Sequence, residues 1–301
     1  MSGRLAALAG AGAALLAGCA GAPPAEIAAS GPSDPARWTV SCTANDEWDN
    51  PGPPFRVHGN TYYVGTCGIT ALLVVGRDGH VLIDGGTEAG AGVIAANIEA
   101  LGFRVDDVRL LLASHEHFDH VGGLAELQRR SGARLVSHPD AAPVLASGIE
   151  APGDPQAGVL QPFAPAEVAE VLVDRQPVTL GTLALTPHFT PGHTQGALSW
   201  QWGSCEGDDC RTIVYADSLS PVSNESYRFS DHPALIADYR AAIDRVGGLE
   251  CDILLTPHPV ASGMHTRLLA GELTDTTACR RFAASLAQRL DARLAEEGQT
   301  R

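Results

Sequence analysis

The chain has 301 residues, of which 45% are hydrophobic and 18% charged. These proportions suit a globular protein with a sizeable buried core and exclude a disordered chain. With 20 basic and 35 acidic residues the formal net charge is −15, which excludes the basic footprint of a nucleic-acid-binding protein and favours solubility.

The chain opens with one Arg and an apolar run from Leu5 to Leu16. That run is too short to span a bilayer and has the proportions of a signal peptide. Leu16-Ala17-Gly18-Cys19 resembles a bacterial lipoprotein signal, in which the cysteine becomes the lipidated first residue; an ordinary secretory signal cut nearby and a chance cysteine are the competing readings. Residues 1–18 are thus read as a signal, 19–36 (rich in Ala, Pro, Ser and Gly) as a flexible tether, and 37–301 as one domain. The expected location is the periplasm, with Cys19 as an anchor to the outer membrane where it is lipidated. Setting Cys19 aside leaves Cys42, Cys67, Cys205, Cys210, Cys251 and Cys279. An even number of cysteines in an exported chain reads as disulfides, with the pairing left open. Cys205 and Cys210 flank the turn-like "EGDD" and suggest a hairpin staple. No CxxC pair points to a zinc ribbon.

Past Trp38, strands and helices alternate. "ALLVVGRDGHVLIDGG" (71–86) reads as two strands joined by a turn at Arg77–His80. Residues 91–102 have helical spacing and stop at Gly102. "VRLLLAS" is a short apolar run, so a buried strand. "VGGLAELQRRSG" is a helix, "ARLVSHP" a strand and "DAAPVLASG" a short helix. The proline- and glycine-rich stretch 148–166 is a long loop, the kind that often serves as a wall or lid. Strands return at 177–190, "GALSWQW" and "RTIVYADS". Residues 233–248 form a helix, "CDILLTP" a strand and 275–297 a last amphipathic helix. Two halves of strands followed by helices predict sheets covered by helices on the outside.

"LLLASHEHFDHVGG" (110–123) ends a buried strand with His115, His117, Asp119 and His120. Residues two apart in an extended segment point the same way, so His115 and His117 can grip one metal ion, while Asp119 and His120, past the turn, can reach a second. Zinc takes imidazole nitrogen and carboxylate oxygen, and a catalytic zinc keeps one position open, so other strand ends must supply further ligands. His193 in "TPGHTQG" and His258 in "LLTPHP" occupy such ends. His188 has a weaker claim, and the other five histidines lack this context.

The HxHxDH of 115–120, the Gly-His at 192–193, the His-Pro at 258–259 and "LIDGG" (82–86) together resemble the metallo-β-lactamase superfamily. "TALLVV", "TPGHTQGALSW", "YADSLSP", "LIADYRAAI" and "CDILLTPHP" look most like its subclass B3. The resemblance spans about residues 38–295. It implies an αββα sandwich: two mixed β-sheets packed face to face, helices outside. It implies two zinc ions, the first held by His115, His117 and His193 and the second by Asp119, His120 and His258, with Asp84 as a support and not a ligand. It also implies the pairing Cys251–Cys279 and, as in some members, Cys42–Cys67 and Cys205–Cys210. The implied activity is hydrolysis of the β-lactam amide bond of penicillins, cephalosporins and carbapenems by a dizinc-bound hydroxide that Asp119 orients, conferring antibiotic resistance. Ser218 and Ser220 stand at the substrate, Ser220 on its carboxylate. The expected partners are the β-lactam alone, no nucleic acid, and a membrane only through Cys19; the protein is expected to be a monomer.

Two positions depart from simplicity. Glu116 is commonly a small residue in relatives and should point away from the metals. Asp217 could bridge two metals, as an aspartate does in glyoxalase-type hydrolases of the superfamily, whereas the whole "YADSLSP" run places it off the metals. A thioester, lactone or phosphoester hydrolase on the same fold is therefore the alternative activity, and an envelope binding protein with a structural zinc the non-catalytic one. Phe163 and the stretch around Trp38 are candidate walls over the metals, with Gln156 and Gln161 as polar contacts.

Overall fold

The computed structural model describes residues 34–299, with Met1 and Gly3. Apart from those two, the signal segment, Cys19 and the tether up to residue 33 lie outside the described residues. Asp34 caps helix α1 (Pro35–Ser41), its side chain accepting the Ala36 N–H at 2.9 Å, so the last two residues of the expected tether are helical. No helix among the described residues is long and apolar enough to cross a membrane.

Seven strands form the first sheet in chain order: β1 (Phe55–His58), β2 (Thr61–Tyr63), β3 (Leu72–Val74), β4 (His80–Ile83), β5 (Val108–Leu112), β6 (Arg134–Ser137) and β7 (Val168–Val171). The pairs from β1 to β4 are antiparallel and those from β4 to β7 parallel. The parallel connections carry helices α2 (Gly90–Ala100), α3 (Phe118–Val121), α4 (Leu124–Ser131) and α5 (Ala142–Ser147). The second sheet runs β12-β11-β10-β9-β8, from β8 (Val178–Leu180), β9 (Leu183–Phe189), β10 (Leu198–Glu206), β11 (Asp209–Tyr215) and β12 (Ile253–Leu255). Helices α6 (Pro233–Gly247), α7 (Met264–Ala270) and α8 (Ala278–Gln299) follow the later strands.

Side-chain alternation makes the layers. Leu73, Leu82, Leu111 and Leu135 face α2 and α4. Their neighbours Leu72, Val74, Val81, Ile83, Leu110, Leu112 and Val136 meet Leu185, Leu198, Trp200, Ile213, Tyr215 and Leu255 of the other sheet. Val214 and Leu254 turn outward to α6 and α8. Central strands buried on both faces read as unbroken apolar runs, which is why "VRLLLAS" carries no polar alternation. The result is the αββα sandwich expected from the sequence.

The two sheets are tied where β5 ends. The Trp200 indole N–H donates to Ala113 O at 2.9 Å, and Leu198 N–H donates to Ser114 O at 2.6 Å. All six cysteines of the domain are paired: Cys42–Cys67, Cys205–Cys210 and Cys251–Cys279.

Candidate metal centre

β5 ends at Leu112, and the chain runs without regular structure through 113–117 before turning into α3. This short exit delivers His115 and His117, and the helix delivers Asp119 and His120. The β9–β10 turn brings His193, and the end of β12 brings His258. Gly192 makes the turn with φ of 152°, which glycine alone adopts easily.

Two groups of ligand atoms result. Those of His115, His117 and His193 all lie within 4.8 Å of one another, and so do those of His115, Asp119 and His120. His258 Nε2 is 3.3 Å from both His120 Nε2 and Asp119 Oδ2. All six residues expected from the sequence therefore meet on one rim of the sandwich. His188 does not: its Nε2 pairs with Gln201 Oε1 at 3.1 Å.

Each imidazole of the first group has its outer nitrogen engaged. His115 Nδ1 donates to Asp217 Oδ1 at 2.8 Å, His193 Nδ1 to Ser220 O at 2.9 Å, and His117 Nε2 to Asp154 Oδ2 at 3.0 Å. Such bonds fix the tautomer and aim the other nitrogen. Burial pushes His115 well below the usual histidine range, helped by neighbouring His120 and His117, and pushes His193 down to about 3, helped by His115 and His117. Both are therefore neutral at physiological pH, as a metal ligand must be. Burial disfavours charge on Asp119 and His120 as well, but their mutual attraction outweighs it, holding Asp119 well below and His120 above its ordinary value.

Behind the ligands, buried Asp84 accepts the Ser114 N–H at 2.6 Å, the Ser114 hydroxyl at 2.7 Å and the Tyr215 hydroxyl at 2.6 Å, so it clamps the ends of β4, β5 and β11. Glu116 points away from the cluster: it accepts the Thr194 hydroxyl at 2.7 Å and the Gly196 N–H at 3.1 Å, bracing the His193 turn. Asp217 belongs to neither group of ligand atoms; besides His115 it accepts the Leu219 N–H at 3.1 Å. Ser218 Oγ is buried without a hydrogen-bond partner among the described residues, and Ser220 Oγ lies 3.2 Å from His193 Nδ1.

Trp38 is not a wall of the site. It is fully buried in α1 against Phe55, Tyr63 and His265. Trp48, 42% exposed, takes that place, its ring 5.7 Å from Phe118 and 5.8 Å from His258. With Phe118, Gln161 and Phe163 it lines a cleft of about 330 Å³ beside the cluster. Gln156 lies closer in, its Nε2 3.4 Å from His117 Nδ1. Sequence reasoning did not single out Asp154, because one aspartate in a proline-rich loop is ordinary turn chemistry.

The donor set fits a divalent metal such as zinc. The neutral imidazoles of His115 and His193 and the ionised carboxylate of Asp119 converge, and His115 Nε2 is buried with no hydrogen-bond partner among the described residues, a cost that a bound cation removes.

The family model described as the metallo-beta-lactamase superfamily matches residues 64–258, a span that includes every residue of the cluster. The chain belongs to the metallo-β-lactamase superfamily. It is a hydrolase fold whose solved neighbours are β-lactamases. It is 53% identical to the MIM-2 metallo-β-lactamase, with 87% of this chain and 97% of that one covered and a TM-score of 0.84. It is 46% identical to MIM-1 from Novosphingobium pentaromativorans, with 88% and 99% covered and a TM-score of 0.85. MEM-A1, a subclass B3 enzyme from a soil metagenome, is 42% identical, with 85% and 100% covered and a TM-score of 0.81. Among curated relatives, the hydroxyacylglutathione hydrolase of Anaeromyxobacter dehalogenans (strain 2CP-C) is 30% identical over 183 residues, 60% of this chain; the match spans only 58% of that relative's length.

Proposed function

We propose that this metallo-β-lactamase-fold hydrolase is a zinc-dependent β-lactamase of subclass B3, opening the amide bond of penicillins, cephalosporins and carbapenems and so conferring antibiotic resistance. The observation that carries the reading is the 53% identity to MIM-2 across 97% of that chain, joined to the six-residue cluster at the sandwich rim. His115, His117 and His193 would hold one zinc ion and Asp119, His120 and His258 a second. Zinc at such donors supplies a Lewis acid and makes a water nucleophile available near neutral pH.

The chain's own residues then have definable work. Asp119, kept ionised by His120 and His258, accepts a hydrogen bond from the attacking water and orients it toward the lactam carbonyl. The Ser220 hydroxyl, half-buried at the edge of the cluster, binds the substrate carboxylate, with Ser218 beside it. Trp48, Phe118 and Phe163 exclude water from one flank. The leaving nitrogen takes its proton from solvent. Export supports the same role: the Leu5–Leu16 run and three disulfides suit a periplasmic protein, acting as a monomer, with Cys19 as its lipid attachment.

The similarity to hydroxyacylglutathione hydrolases favours one second reading, a thioester hydrolase. The test is hydrolysis of a carbapenem, a cephalosporin and a hydroxyacylglutathione by the purified domain, before and after chelation and again after adding zinc. Chelator-sensitive, zinc-restored β-lactam turnover is expected. Thioester turnover without β-lactam turnover would overturn the proposal.

A further inference from the structure

The three histidines of the first group are backed differently. Asp217 behind His115 and Ser220 behind His193 come from one segment, just past β11. Asp154 behind His117 comes from the loop between α5 and β7. It is nevertheless buried, with 4% exposure. Its Oδ2 takes the His117 Nε2–H at 3.0 Å, and its Oδ1 takes the Gln156 N–H at 2.7 Å.

The loop around it is held by its backbone. Asp154 N–H donates to Ala151 O and Ala157 N–H to Asp154 O, both at 3.0 Å; Asn224 grips the next turn, its N–H on Pro155 O and its side-chain amide on Ala157 O, both at 2.8 Å. Among the described residues no Lys or Arg pairs with Asp154; its one ion-pair partner is His117. A buried carboxylate without a cation is costly. A neutral imidazole offsets that cost weakly, and an imidazole bound to a dication offsets it well. A carboxylate only accepts hydrogen bonds, so the His117 proton sits on Nε2, which leaves the Nδ1 lone pair, 3.4 Å from the Gln156 side-chain amide, as the atom that can face the metal.

We propose that Asp154 is a positioning residue that couples the 148–166 loop to the metal centre. It fixes His117 with Nδ1 toward the metal, and the same contact makes the order of the loop depend on metal binding. Coupling of this kind is reciprocal: whatever factor the docked loop adds to metal affinity, bound metal adds to loop docking. The inference rests on the reading that His115, His117 and His193 hold a metal, and it needs no assumption about the substrate.

The test uses Asp154→Asn and Asp154→Ala in the mature protein. Zinc affinity is read by competition with a chromophoric chelator, and the cobalt-substituted protein by its visible spectrum. Amide hydrogen exchange over residues 149–160 is followed with and without zinc, and urea unfolding is measured on the metal-free form. Both variants are expected to lose about 10- to 100-fold in zinc affinity, with a changed cobalt spectrum. Zinc should slow exchange in the wild-type loop and do so less in Asp154→Asn, whose metal-free unfolding midpoint stays at the wild-type value. Unchanged affinity in both variants would overturn the inference. Equal destabilisation of the metal-free and zinc-loaded forms would also overturn it, by assigning Asp154 a merely structural role. Should Asp154→Ala fail to fold, Asp154→Asn carries the test. A wild-type protein that binds no zinc would overturn the metal reading itself, and tight zinc binding without β-lactam turnover would overturn only the substrate.

Discussion

Replacing Asp84 by asparagine separates two opposed effects in one buried side chain. Asp84 sits just past β4 with φ of 64°, a left-handed conformation that asparagine tolerates about as well as aspartate. Asparagine keeps one carbonyl oxygen for the Ser114 N–H, and its amide faces hydroxyls that can rotate to accept. At the acid end the carboxyl is protonated, and exchanging its hydrogen bonds for those of an amide costs about 1–3 kcal/mol. Against this, burial pushes the Asp84 carboxyl from 3.8 up to about 6, although His120, Tyr215 and Ser114 favour its ionised form. A raised folded value means that the stability is fully present below about pH 4 and is lost as pH rises through about 6. That displacement corresponds to about 3 kcal/mol. Urea unfolding of the chelator-treated proteins between about pH 4 and pH 7.5 is the assay. Asp84→Asn should be the less stable protein at the acid end and should draw level with, or pass, wild type at the neutral end. An equal deficit at every pH, or one that widens as pH rises, would refute the reasoning.

Two further outcomes follow from the geometry. Gly192→Ala would drive a Cβ into the fully buried Tyr239 ring, at a φ of 152°. It should cost about 2–5 kcal/mol and lower zinc content by displacing His193; a variant of wild-type stability and full zinc content would refute this. Removing Cys251–Cys279, which closes a sequence separation of 28, should cost about 3.5 kcal/mol, and removing Cys205–Cys210, with a separation of 5, about 2 kcal/mol. Urea unfolding under non-oxidising conditions ranks them, and the reverse order would contradict the chain-entropy basis.

Much of this architecture is legible in the sequence because its signals are local and strong. Apolar runs such as "VRLLLAS" mark strands covered on both faces, and four metal-binding side chains within residues 115–120 have few structural explanations. The weaker elements are those whose stability comes from neighbours. β1 and β2 are four and three residues long and gain their burial from Trp38 and the second sheet. β7 is an edge strand with three exposed residues in its four, so it carries no apolar run. Helix α3 is four residues long and sits inside the metal motif, where the spacing of ligands hides any helical period. Trp38 and Trp48 lie close together in the chain, and only the packing of α1 on Phe55 and Tyr63 decides which of them faces the site. The partners of Asp154 and Glu116 are illegible for a related reason: they lie far away in the chain.

Those separations bear on how the protein comes to life. His115 meets Asp217 across 102 residues, Glu116 meets Gly196 across 80, and His120 meets His258 across 138. Closing such loops is slow and uphill until the strands between them have paired. The full six-residue cluster therefore closes only as those strands pair, on a sandwich largely built, and only the 115–120 segment offers its ligands locally. Newly made chains would pass through a folded, metal-free stage that is chemically silent, and scarcity of metal would delay their maturation without destroying them.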